Sequence, residues 1–247
     1  MKRATLSSVI AIVALASAQS IFTYRDKSGS LTVHALSGLV EQTGTDKVHL
    51  VLHGKPVVVD SVQDGLQIQA PSVVADANTK GAARIGKAVG TGGVHAVKRA
   101  ASGTTDISAS SGTYTSGGQS ARLDLRGATR IVSKTAKGTT TITGSSGYAL
   151  LANGAKGPGS GLKNAVLSGP VKVVSDQQNT NGGVITATGS HLELDNAAHT
   201  VTLSGNVNVT GNQKSTLGEL RGADRAVLVL NDRGQIASVR VSQGAAR

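Results

Sequence analysis

The sequence predicts an all-β chain of stacked, short antiparallel strands built from repeats of about 38 residues. Three observations predict it. From Val201 to Gly211, Val201, Leu203, Gly205, Val207 and Val209 fall on one parity and Thr202, Ser204, Asn206, Asn208 and Thr210 on the other, the period of a half-buried strand. The Leu-x-Gly at the centre of that stretch recurs as Leu52-His53-Gly54, Leu125-Arg126-Gly127 and Leu167-Ser168-Gly169. Finally, 247 residues contain 32 Gly, one Phe, three Tyr and no Trp, so the core must be aliphatic and thin, which suits layers packed on their neighbours better than a thick globule.

Residues 1–18 read as a cleaved secretory signal: Lys2 and Arg3 at the start, a mostly apolar run from Leu6 to Leu15, and the small residues Ala16-Ser17-Ala18 before the cut. An uncleaved anchor over 4–22 is the competing reading, weakened by Ser7, Ser8, Ser17, Gln19 and Ser20. A divergent β region is expected over 19–104, with strands at Leu31 to Leu36, Val48 to Val59 and Leu66 to Ala75, and a weak repeat at Val89 to Val97. Pro56 suggests an edge or an irregular strand end. Clearer repeats are expected over 105–247. Leu123, Leu125, Gly127, Thr129 and Ile131 share one face there, opposite Arg122, Asp124, Arg126, Arg130 and Lys134. Ala165, Leu167, Gly169, Val171 and Val173 form the next inward set. Val184 to Thr188 and His191 to Leu194 precede a turn at 195–199 that leads into Val201. A last pair, Arg225 to Leu230 and Ile236 to Val241, is turned by Asn231-Asp232-Arg233-Gly234.

The central glycines at 54, 92, 127, 169 and 205 are separated by 38, 35, 42 and 36 residues. With two to three short strands per unit, this period describes a stacked or winding antiparallel sheet. A propeller would need four strands per blade and aromatic packing between blades. Parity places the glycines on the inward face, where a curved sheet or a ligand comes close to the backbone.

The unit Ile185-Thr186-Ala187, Leu192-Glu193-Leu194, then Val201-Thr202-Leu203-Ser204-Gly205-Asn206-Val207-Asn208-Val209 resembles the OstA-like repeat of lipopolysaccharide transport proteins. The likeness is strongest over 182–230, where Gly222-Ala223-Asp224-Arg225-Ala226 resembles the start of another repeat. It implies a β-jellyroll folded like a taco shell, a periplasmic location, and acyl chains of lipopolysaccharide or another anionic glycolipid carried in an apolar groove. It also implies partner jellyroll subunits added edge to edge, head to tail. On that reading the groove comprises Leu123, Leu125, Ile131, Leu167, Val171, Val173, Leu192, Leu194, Val201, Leu203, Val207 and Val209. Arg122, Arg126 and Arg130 would meet head-group phosphates if they stand near its mouth.

Net charge is +11, or +9 without Lys2 and Arg3. For an exported chain this points to lipid phosphates or envelope polysaccharide rather than nucleic acid. Catalysis, a cofactor and a metal are not expected. No Gly-x-Ser-x-Gly elbow occurs, the Gly90 to Gly93 run lacks the ending of a phosphate loop, and His49 and His53 have no third ligand nearby in sequence. Two alternatives remain: a structural or adhesive cell-surface β-repeat protein, and an anchored inner-membrane subunit of the same transport system.

Overall fold

A computed structural model describes residues 22–81, 83–101, 103–117, 120–136, 138–153, 161–177, 183–211, 219–230 and 236–242. The expected signal and the turn at 231–234 lie outside them. Among the described residues there is no helix, and hence none able to cross a membrane.

The chain enters through three short strands, β1 (Phe22–Arg25), β2 (Leu31–Ala35) and β3 (Ser37–Gly44). Long strands follow: β4 (Lys47–Ser61), β5 (Leu66–Asn78), β6 (Ile85–Ala100), β7 (Gly103–Ser116), β8 (Ser120–Thr135) and β9 (Gly138–Ala152). The series ends with β10 (Leu162–Gln177), β11 (Gly183–Asp195), β12 (Thr200–Gly211), β13 (Leu220–Leu230) and β14 (Ile236–Ser242). All belong to one open antiparallel sheet in chain order, except that β3 pairs beside β2 on β4. The boundary expected at 104–105 therefore falls inside β7, and the sheet continues across it through the pairing of β7 with β6.

Each repeat holds two long strands, not two or three short ones, because every strand from β4 to β12 crosses a corner. The pairing shows how. From Ser204 to Asn208, β12 takes four steps while β11 takes three, from His191 to Thr188. The same one-residue excess falls on β10 (Ser168 to Lys172), β8 (Arg126 to Arg130) and β6 (Thr91 to His95). On β4, four steps from His53 to Val57 face two on β5, from Ser72 to Ala70. An extra residue on alternate strands bends the whole ladder along one line.

The bend makes two walls. The first contains β3 and the halves of the long strands that pair with it in turn, ending at β14; the second contains β1, β2 and the other halves. Both walls bury their inward residues in one cluster, so each covers the other's apolar face. Phe22 shows the approach, since a Cβ on Gly38 of the opposite wall would stand 3.1 Å from its ring. Along the outside of the corner, Ser72, Thr91, Ser111, Arg126, Ser146 and Ser168 stand opposite one another from strand to strand.

The central glycines belong to this corner and not to the inward face. Gly127, Gly169 and Gly205 have φ of +76°, +89° and +77°, a conformation that side chains disfavour. Gly205 is exposed, and a Cβ there would lie 2.9 Å from the Ser190 side chain. Pro56, Pro71 and Pro170 also sit at the corner. There the ladder's hydrogen bonds are already interrupted, so Pro56 is accommodated in an interior strand and marks no edge.

Gly205→Val should lower unfolding free energy by about 2–3 kcal/mol in urea denaturation, from positive-φ strain and the Ser190 contact. Gly205→Asn should cost about half as much, because Asn tolerates this conformation.

Candidate interior site and its mouth

Alternation along each half-strand points every second side chain inward. Leu123, Leu125, Ile131, Leu167, Val171, Val173, Leu192, Leu194, Val201, Leu203, Val207 and Val209 all lie on the inner faces, between 0 and 5 % exposed. Leu203 stands opposite Leu192 and Ala226, and Val209 opposite Ala187, so the set is continuous across strands. The walls meet directly over these residues. Small side chains such as Ala75, Ala96, Ala149 and Ala165 let them approach closely.

Opposite the corner, the strand ends of the two walls face each other across a mouth. At the β1–β5 end it is tied shut by buried polar groups. Asp64, in the β4–β5 turn of the second wall, accepts hydrogen bonds at Oδ2 from the backbone N–H groups of Arg84 (3.0 Å) and Ile85 (3.2 Å) of the first wall. It also accepts from the Ser61 hydroxyl at 2.7 Å. Arg84 Nε donates to Gln63 Oε1 at 2.9 Å, and its Nη1, buried without a hydrogen bond, lies 3.9 Å from Asp26 Oδ2. Lys98 Nζ donates to the Asp64 backbone carbonyl.

Burial and hydrogen bonding set the ionisation of these groups. Burial works to raise the pKa of Asp26, but it is outweighed by hydrogen bonds from the Leu31 N–H and the Ser28 hydroxyl, by Arg84, and by the Ser30 N–H, so the net direction is down. Lys98 is pushed down by burial, with partial opposition from Asp64. Tyr114 is pushed up, by burial first and the Asp64 charge second. Beside this cluster Leu66, Lys98, Tyr114, Ala121 and Leu151, with neighbouring Asp64, Ala152 and Asn153, come together between the walls and leave no space large enough for a water molecule.

The predicted arginines all point outward. Arg122, on the outer side of the first wall, pairs with Asp124 at 2.8 Å and stacks 3.8 Å above the Tyr148 ring. Arg126 stands at the corner, and Arg130 just beyond it on the second wall. Neither faces the mouth. His49 finds a carboxylate that sequence proximity does not reveal, Asp76 on the adjacent strand, at 2.7 Å. Among the described residues no group of three potential metal ligands occurs. The mouth cluster escaped sequence reading because Asp26, Asp64, Arg84 and Lys98 lie on four separate segments; the one local signal was charge beside turns.

The chain matches no family model, no curated protein and no solved structure.

Because Asp26 is held below its ordinary pKa of 3.8, its contribution to stability is complete above the unfolded value and is lost as pH falls through the folded one. Asp26→Asn should lower stability by about 1–3 kcal/mol at pH 7. In urea titrations at successively lower pH, the gap from the unmodified protein should narrow below 3.8.

Proposed function

We propose that this chain is an exported periplasmic protein of lipopolysaccharide transport or outer-membrane assembly, without enzymatic activity, that holds the acyl chains of an anionic glycolipid between its walls. The observation that carries the reading is the single aliphatic interior running the length of an open, folded sheet. Separating the walls for a lipid exchanges wall-to-wall contacts for wall-to-chain contacts. Apolar surface therefore stays out of water, and each methylene brought in adds about 0.8 kcal/mol. The head group would remain at the mouth, outside the aliphatic interior.

The ends of the sheet support the partner half of the proposal. Among the described residues, β1 and β3 at one end and β14 at the other each pair on one side only, leaving main-chain donors and acceptors for a neighbouring jellyroll. Addition of unlike ends is head-to-tail and does not close on itself. A second reading, a structural cell-surface β-repeat protein, is favoured by the close packing of the interior, where Leu203 and Val207 are 0 % exposed.

Photo-crosslinking residues placed at Leu203 and Val207, in cells that make lipopolysaccharide, separate the two. The carrier reading expects glycolipid adducts at both positions. Intramolecular or protein adducts alone would sink it in favour of the structural repeat.

A further inference from the structure

The outer surface of the corner is a ridge with an unusual composition. The residues that pair across it from β5 to β12, and those of the bulges between them, include no Asp or Glu, although the chain has 14 acidic residues. What they include instead is a run of hydroxyls interspersed with cations. Arg126 lies in the first-wall row, between Ser111 and Ser146. In the row just past the corner, Arg130 and Lys172 flank Thr143 on adjacent strands, placing their backbones about 10 Å apart. Thr188 and Asn208 continue that row beyond Lys172. Arg126, Arg130 and Lys172 are exposed and make no ion pair among the described residues.

We propose that this ridge is a docking surface for a linear anionic polysaccharide. Three features select that occupant. Arg130 and Lys172 stand two strands apart in one row, and Arg126 stands across the corner from Arg130 on the same strand, so the charges are spaced along the ridge, which matches a polymer bearing spaced charges better than the plane of a membrane. The hydroxyls and amides between them offer both donors and acceptors to sugar hydroxyls. Of the large apolar side chains exposed among the described residues, Leu39, Val62, Val74 and Val241 lie off the corner and Leu36 stands at the corner beyond β4, so none is among these cations to insert between lipids. No aromatic ring faces outward from the ridge either, so affinity is electrostatic and falls with salt. The surface faces away from the mouth, and its role is independent of what the interior holds.

Binding of the full chain to polygalacturonate, measured across a salt series, tests the assignment. Replacing Arg126, Arg130 and Lys172 together by Ser should weaken binding at least about ten-fold at low salt and flatten its salt dependence. Replacing Lys27, Lys47 and Lys87 by Ser removes the same charge off the ridge and should change binding less than about two-fold. Arg126→Lys with Arg130→Lys, which keeps the charge, should retain most of the affinity. Equal weakening by both triple variants would reduce the effect to net charge and overturn the proposal. So would binding to vesicles rich in phosphatidylglycerol with none to polygalacturonate.

Discussion

The surplus residue on alternate strands is the constraint from which the rest of the molecule follows. A flat antiparallel sheet of this length would leave one apolar face in water. Disulfides cannot compensate, since the chain has no Cys, and nearly all its rings are absent. The excess at Thr91 to His95, Arg126 to Arg130, Ser168 to Lys172 and Ser204 to Asn208 turns the sheet onto itself, so one face becomes the interior of a two-walled shell. Backbone geometry at the corner thus governs burial everywhere else.

The mouth is governed by different physics. Asp26, Asp64, Arg84 and Lys98 are all buried there, and such groups are costly to desolvate. An aliphatic cluster of the same size would hold the walls more strongly but without fixing their offset. Directional bonds from Arg84 and Ile85 N–H groups to one Asp64 oxygen set the two walls in one relative position. The corner permits closure, while the mouth cluster specifies how far and in what register.

Much of this is legible in the sequence, and the points where structure departs from pattern share a cause. Leu203 and Val207 keep the same parity because the bulge places four steps between them, so Gly205 counts as inward on paper while standing outside the corner. On strands without the surplus the opposite happens: Ala187 and Leu192 lie on the same inner side yet differ in parity, which divides the continuous β11 into two apparent strands. Gly138–Ala152 carries no clear strand signal because its Thr-rich first half and its glycines at 144 and 147 hide the alternation of Ile142, Ala149 and Leu151. The repeat at Val89 to Val97 is weak in sequence for a related reason, three glycines crowding the corner of one of the longest strands. The interior set from Leu123 to Val209 needed only alternation within half-strands and was readable. Side chains assembled from distant turns, such as Asp64 with Arg84, were not.

Strand order has a consequence for how such a shell is made. From β4 to β14 every strand pairs with its neighbours in sequence, so each new strand finds its template already in place as the chain emerges from one end. Loop closure stays local however many strands are added, and the growing edge always awaits the next segment. Lengthening or shortening the shell by one pair of strands would alter only the junctions on either side. The same architecture that needs a bend in every strand therefore needs no long-range search to assemble.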